Sequence, residues 1–282
     1  MLRKGDLTQG GITGTLLHFT LPMLVGSFLQ QCYNIADTLI VGQCIGAGAL
    51  AAVGSAYTLM VFLISVLLGL AMGSGTVFSL HYGAGNHVAL RRSIFSSFAL
   101  IGIVTLILNV AVFIWLDPIL RLLQVPQDIY GMMRSYLWII FCGIVFTFIY
   151  NFYASLLRAV GDSVTPIWFL AVSVVLNIAL DLFFILQLDW GIQGAAAATV
   201  LAQGVAALGI IIYTYRRRPE LRWHHEDMCF DRTCLKEIAS FSTLTCVQQS
   251  VMNLGILMVQ GLVNSFGTAV MAAFAAAGKI EC

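Results

Sequence analysis

The sequence predicts an all-α integral membrane protein with two groups of helices, and three observations lead to this prediction. First, 60% of the 282 residues are hydrophobic and only 10% are charged, whereas a soluble domain averages about 25% charged residues. Second, uncharged runs longer than the ~20 residues that cross a bilayer recur along the chain. Third, the segment 219–237 is the one long polar stretch, so it divides the helices into two groups.

The uncharged runs predict seven spanning helices and the start of an eighth. They are continuous and lack the period-two alternation of barrel strands, so each should be helical. The run 38–90 is too long for one helix and must hold a turn near Gly46. The predicted helices are 16–43, 50–81, 91–116, 130–158, 163–187, 191–216 and 238–265, with a further one from about 269.

An internal repeat supports the division into two lobes. A shift by 221 residues aligns Gly46 with Gly267. It also aligns Ala51-Ala52 with Ala272-Ala273. Six spans between the copies keep the repeat parallel, as in transporters with two related halves. We therefore expect a six-helix N-terminal lobe at 1–218, a cytoplasmic linker at 219–237 and the truncated start of a C-terminal lobe at 238–282.

Basic residues in the connections predict the orientation. Alternate connections hold eleven lysines and arginines, whereas the opposite ones hold only Arg121 and Arg134. Because cytoplasmic loops are enriched in basic residues, we predict a cytoplasmic N-terminus. The turns after the first, third and fifth helices then mark what we call the predicted outer end. The net charge of +1 carries no signal for nucleic-acid binding, since the basic residues lie in short loops.

Asp37 and Asp181 are the only acids deep within complete predicted spans. Each lies six residues inside the predicted outer end of its helix, which is roughly 9 Å at 1.5 Å per residue. Asn177 shares a helix face with Asp181 because the two are four residues apart. Thr199 lies roughly 12 Å deep in the next helix. If these side chains face one interior, their oxygens form a cage that suits Na⁺ or a shared proton.

Electrostatics favours a pair of acids that binds a cation over a pair that serves only to hold helices together. Two carboxylates about 5 Å apart at an effective dielectric near 20 repel each other by roughly 3 kcal/mol. Both therefore cannot stay ionised without a cation between them. The alternative is that Asp37 and Asp181 are hydrogen-bonded to neighbouring amides and hydroxyls only to hold helices together.

Four motifs, in matching order, resemble those of the multidrug and toxic compound extrusion (MATE) family. The resemblance covers the whole of this sequence. They are the first-helix signature at 34–42 with 49–54, the turn between helices four and five at 157–162 with Thr165-Pro166, the spacing Asn177-x3-Asp181, and the opening of the sixth helix at 191–199.

The resemblance implies a fold of twelve helices in two lobes, of which this sequence holds the first lobe and one to two helices of the second. It implies a transporter rather than an enzyme: an antiporter in the plasma membrane, monomeric when full length, that exports small organic cations against an inward H⁺ or Na⁺ gradient and needs no other cofactor. It also implies that Asp37, Asn177, Asp181, Thr199 and Ala195 bind the coupling cation.

Other polar residues at mid-depth are candidates for the substrate cavity. Gln30, Tyr33, Asn34 and Asn151 would suit flat amphipathic cations, with helix contacts alone as the alternative. The first helix of the family bends at a proline, which here is Pro22. A proline within a helix removes a backbone hydrogen bond, so Pro22 is either a hinge or a static kink.

Three other functions fit the sequence less well. An intramembrane protease would need a Tyr before one acid and a Gly-x-Gly motif before the other, but Ala36 and Leu180 stand at these places. A channel would need a selectivity filter, and none is visible. A flippase for lipid-linked precursors or polysaccharide, with a related fold, is the alternative, although no arginine interrupts the first three spans.

The cysteines and histidines predict no further site. The seven cysteines are scattered, mostly in apolar runs, so they imply no disulfide framework. His224, His225, Cys229 and Cys234 lie in or near the linker, but their spacing matches no common zinc pattern. A solvated linker is the simpler interpretation.

Overall fold

The computed structural model describes residues 12–222 and 232–280, and within these ranges the regular structure is helical. The helices are α1 (Ile12–Cys44), α2 (Ala47–Gly83), α3 (His87–Leu122), α4 (Gln127–Cys142), α5 (Ile144–Ala159), α6 (Val164–Leu182), α7 (Gly191–Arg217), α8 (Arg232–Asn264) and α9 (Thr268–Ile280). A π-helical turn at Phe183–Gln187 extends α6, and a 3-10 turn at Pro219–Leu221 follows α7.

Among the described residues, five helices are long and apolar enough to cross a membrane, and the bent pair α4–α5 makes a sixth. The five are α2, α3, α6 with its π-helical turn, α7 and α8. The 33 residues of α1 are also long enough to cross a membrane, and the second half of this helix carries the polar residues Gln30, Gln31, Asn34 and Asp37. The prediction of an all-helical protein with several membrane spans is confirmed.

The fourth predicted span is not one straight helix. The structure bends it by 49° at Gly143, between α4 and α5. The backbone N–H of Gly143 donates to the carbonyl of Ile140, three residues back, so the regular ladder is interrupted. The side chain of Asn109 on α3 donates to the carbonyl of Phe141 at 2.6 Å. Gly143 also lets α7 approach, since a Cβ there would lie 2.5 Å from Val200.

Two other predicted boundaries differ from the structure. The fifth predicted span, 163–187, is α-helical only as far as Leu182 and ends in the π-helical turn. Helix α8 begins at Arg232 rather than at residue 238, so the end of the predicted linker is helical. Because this segment is polar, hydrophobicity alone placed it outside the helix.

Helix α7 lies against α4, α5 and α6. Half of its buried residues are alanines, as at Ala195, Ala198 and Ala202. Small side chains allow helix backbones to approach closely. This close packing brings Thr199, on the same helix, to the polar residues of α6.

Helix α8 packs along α2, and glycines on α2 make this contact possible. A Cβ added at Gly69 would lie 2.5 Å from the Cα atom of Cys246, and one at Gly73 would collide with the backbone of Ser242. The hydroxyl of Ser242 donates to the carbonyl of Leu70 at 3.3 Å. The Gly69-x3-Gly73 spacing therefore serves close helix packing.

We predict that Gly69→Ala lowers the melting temperature of the purified protein by several degrees. The added methyl group meets backbone atoms of α8 that cannot rotate away, and such overpacking costs about 1–3 kcal/mol. Gly255→Ala on α8 is the matched control, since its added Cβ has no atom within 4 Å. Equal melting temperatures for the two variants, measured by thermal unfolding in detergent, would contradict the close α2–α8 contact.

The two glycines of the internal repeat occupy comparable turns. Gly46 lies between α1 and α2 with φ of 119°, and Gly267 lies between α8 and α9 with φ of 91°. Both values fall in the region that favours glycine. The repeat therefore extends to the backbone conformation of its turns.

Candidate functional site

Two polar residues of α6 form the base of the candidate cation site. Asp181 is 0% exposed and Asn177 is 1% exposed. In the side-chain orientation that gives both the oxygen and the nitrogen of the Asn177 amide a hydrogen-bond partner, its Nδ2 donates to Oδ2 of Asp181 at 2.9 Å. A carboxylate buried in this way must be paired or neutralised.

Thr199 links this pair to α7. In the same orientation, Oδ1 of Asn177 accepts from the backbone N–H of Thr199 at 3.2 Å. The hydroxyl of Thr199 donates to the carbonyl of Ala195, one turn earlier, at 3.1 Å. It also lies 3.4 Å from the hydroxyl of Tyr33 on α1. The carbonyl of Ala195 thus lies beside the site, with its oxygen engaged by Thr199.

Asp37 completes the site from α1. Its side chain is half-buried, and its carboxyl group is close enough to that of Asp181 for the two to interact electrostatically. Two neighbouring carboxylates repel each other when both are ionised, so a proton or a metal cation between them stabilises the pair. Oδ1 of Asp181 is buried and accepts no hydrogen bond from a donor of the described residues. Hard oxygen atoms grouped in this way fit a proton or Na⁺.

Two cavities lie at this site, and they share Gln30, Tyr33, Thr199 and Gln203. One, of about 220 Å³, is lined by Asp37 among others. The other, of about 320 Å³, extends along α5 and α6 past Asn177. Access to the acids is therefore through space that the polar residues of α1 and α7 line.

The structure places all four predicted cavity residues at cavities. Gln30 and Tyr33 line both cavities, Asn34 lines the one beside Asp37, and Asn151 lines the other. Two of them also make local contacts. Nδ2 of Asn34 donates to Gln31 at 3.0 Å, and Nδ2 of Asn151 donates to the carbonyl of Thr147 at 2.8 Å.

Sequence reasoning missed two residues of this region. Gln203 lines both cavities and accepts a hydrogen bond from Thr147 on α5. Its position four residues after Thr199, on the same helix face, was a signal that could have identified it. Tyr136 on α4 is 5% exposed and lines the cavity beside Asp37. It stands in an apolar run, where nothing in the sequence distinguishes it from a core residue.

Pro22 lies within α1, which continues on both sides of it. The residue is half-buried. The structure thus shows Pro22 inside a continuous helix, a position that is compatible with either a hinge or a static kink.

The histidines and cysteines in and near the linker, for which the sequence predicted no metal site, fall mostly outside the described residues. This applies to His224, His225 and Cys229, whereas Cys234 is buried at the start of α8. Among the described residues, no group of three histidine, cysteine or acidic side chains is placed to hold a metal ion.

Comparison with known proteins identifies the family. Residues 22–183, more than half of the chain, match the MatE family model. The probable multidrug resistance protein YpnP of Bacillus subtilis (strain 168) is 31% identical over 99% of this chain and 62% of that protein. The probable multidrug resistance protein YoeA of the same organism is 29% identical over 93% of this chain and 58% of that protein.

The fold matches solved structures as well. An inward-facing conformation of a multidrug resistance MATE family transporter of the MOP superfamily is similar with a TM-score of 0.81 and 25% identity, over 94% of this chain and 61% of that chain. This chain thus spans about three fifths of the length of the relatives that it matches. The chain belongs to the MatE family of membrane transporters.

Proposed function

We propose that this chain provides the ion-coupled lobe of an antiporter that exports organic, mostly cationic, compounds by alternating access. The relatives named as multidrug resistance proteins support the class of function. The observation that carries the proposal is the proximity of two carboxyl groups, those of Asp37 and Asp181, inside a helical bundle, where they interact electrostatically. Residues 1–218 are the N-terminal lobe in this proposal, 219–237 the cytoplasmic linker and 238–282 the start of the second lobe.

The coupling mechanism follows from the position of the acid pair. Asp37 belongs to α1, whereas Asp181 and Thr199 belong to α6 and α7. A bound H⁺ or Na⁺ removes the repulsion between the carboxylates and so favours the packing of α1 against those helices. Release of the cation favours their separation. Because Gln30 and Tyr33 on α1 line the substrate cavities, the same movement changes the substrate site, and the two ligands become linked.

The lining of the cavities favours an exporter of cations over a flippase of lipid-linked precursors or polysaccharide. Among the described residues that line these two cavities, Asp37 is the only charged one, and the others are neutral. Tyrosine rings at Tyr33, Tyr57 and Tyr136 line the same space as Asp37. Aromatic faces and a carboxylate attract organic cations.

The protein is proposed to act as a monomer in the plasma membrane, with its N-terminus in the cytoplasm and without a cofactor other than the coupling ion. A test uses the complete protein that carries this chain, expressed in bacteria that lack other efflux pumps and are preloaded with ethidium. We expect efflux to stop when a protonophore collapses the H⁺ gradient or when the Na⁺ gradient is removed, depending on the ion that couples. Efflux that persists without both gradients would contradict the proposal.

A further inference from the structure

A third cavity, of about 530 Å³, lies between α1, α5 and α6 toward the predicted cytoplasmic end. Its lining includes Gln30, Tyr150, Asn151 and Leu170, which also line the 320 Å³ cavity. The two spaces are therefore neighbours along the same three helices. A compound that moves between the predicted cytoplasmic end and the acids would pass both.

The charge in this third cavity has the opposite sign to that of the acid pair. Arg158, near the end of α5, is the only charged residue among the described part of its lining. The Nε of Arg158 donates to the carbonyl of Ala154 at 3.0 Å. Among the described residues, no carboxylate lies within salt-bridge distance of this guanidinium. The remaining donors of its planar fork suit a carboxylate.

The acid that is nearest in sequence to Arg158 has other partners. Asp162 accepts hydrogen bonds from the backbone N–H and the hydroxyl of Thr165, at 3.1 and 2.8 Å. It also pairs with Arg218, whose Nη2 lies 3.5 Å from Oδ2. Asp162 therefore holds the α5–α6 turn against the end of α7 and does not neutralise Arg158.

Neutral hydrogen-bonding groups accompany Arg158 in this cavity. Ser163 is 4% exposed and lines the cavity directly before α6. Gln30 reaches the same space from α1. Apolar side chains such as Met23 and Ile167 form other parts of the wall. The site thus offers a positive group, polar neighbours and an apolar surface, which together fit an amphipathic anion or zwitterion.

We propose that Arg158 binds the carboxylate of zwitterionic amphipathic substrates and so extends the substrate range beyond simple cations. This inference rests on the proposed export function and names a substrate class for it. The residue is a specificity determinant rather than part of the ion site. A purely cationic compound makes no favourable contact with Arg158, whereas a compound with both charges can place its carboxylate there while its aromatic body occupies the neighbouring cavity.

Two dyes that differ only by a methyl ester provide the test. Rhodamine 110 carries a free carboxylate, and rhodamine 123 is its methyl ester. With the complete protein in liposomes of zwitterionic lipid, we expect Arg158→Gln to lower rhodamine 110 transport at least tenfold and to change rhodamine 123 transport less than twofold. Arg158→Lys should retain most rhodamine 110 transport, because it keeps the charge. Arg217→Gln is the control, since Arg217 is exposed and lines none of these three cavities.

Several outcomes would overturn the proposal. Equal loss of both dyes in the glutamine and lysine variants would assign Arg158 a structural role. Rhodamine 110 transport that is unaffected by Arg158→Gln would exclude it as a determinant. If phosphatidylglycerol inhibits rhodamine 110 transport only when Arg158 is present, the site binds lipid phosphate instead.

Failure of the export function can be told apart from failure of this inference. If the wild-type protein transports neither dye and also no ethidium, the proposed function fails. Binding of rhodamine 110 to the purified protein, followed by fluorescence polarisation, then still decides the role of Arg158. We expect an approximately tenfold weaker Kd in Arg158→Gln, and an unchanged Kd would refute the site.

Discussion

Replacing Asp181 by asparagine is expected to reduce gradient-driven efflux to the level of cells without the transporter. The side chain is fully buried and contacts both Asn177 and Asp37. Asparagine has nearly the same shape, so the helix packing can persist while the negative charge is lost. The loss of one carboxylate removes its attraction for the bound cation, which is about 4 kcal/mol for unit charges about 4 Å apart at an effective dielectric near 20. This corresponds to a hundredfold or greater loss of affinity for the coupling ion.

The control for this prediction is Asp117→Asn at the end of α3. Asp117 is exposed and pairs with Arg134 at 2.8 Å, so its replacement should leave ethidium efflux within about twofold of wild type, as expected for an exposed ion pair. Expression of both variants is checked on membranes by immunoblot. Efflux of Asp181→Asn at the rate of Asp117→Asn would remove Asp181 from the mechanism.

Asp37→Asn is expected to abolish efflux as well, and the double variant with Asp181→Asn should lose no more than either single variant. Residues that act as one unit are not additive, because the first replacement already removes the function that they share. The residual transport rates of the three variants are compared in the same cells.

The result that would contradict this second prediction is specific. Partial loss in each single variant, with a larger loss in the double variant, would mean that Asp37 and Asp181 act at separate places. In that case the contact between their side chains would serve helix packing, and the coupling ion would bind elsewhere.

Much of this architecture could be predicted because the membrane imposes simple rules on the sequence. Runs without charge must be helices in lipid, so the element order and most boundaries followed from composition. The depth of Asp37 and Asp181 could be estimated from the rise per residue, and the structure brings the two together. The i, i+4 spacing placed Asn177 beside Asp181 in the same way. These inferences depend on local geometry that every helix shares.

Features that depend on contacts between helices could not be predicted. The bend at Gly143 depends on the approach of α7 at Val200. It also depends on the side chain of Asn109 on α3, which donates a hydrogen bond to the carbonyl of Phe141. Tyr136 joins the site only because α4 packs against α2 and α7. The early start of α8 reflects packing against α2, which allows a polar segment to be helical.

The role of Arg158 illustrates the same limit. In the sequence it is one of several arginines at the predicted cytoplasmic end, where the orientation of the chain is sufficient to explain it. The partners of Asp162 and the lining of the third cavity distinguish it from the others. A positive residue becomes a candidate substrate contact only when its neighbours are known.

The most direct test of the central claim is to count the cations that the acid pair binds. Purified protein in weakly buffered detergent solution is titrated with Na⁺ and, separately, with ethidium, while a pH indicator follows proton release. If the acid pair binds H⁺, one of these ligands should displace about one proton per protein. If it binds Na⁺, one Na⁺ should bind per protein, as measured with radioactive sodium. In either case, Asp37→Asn and Asp181→Asn should abolish the signal. The same stoichiometry in wild type and both variants would show that Asp37 and Asp181 do not hold the coupling ion.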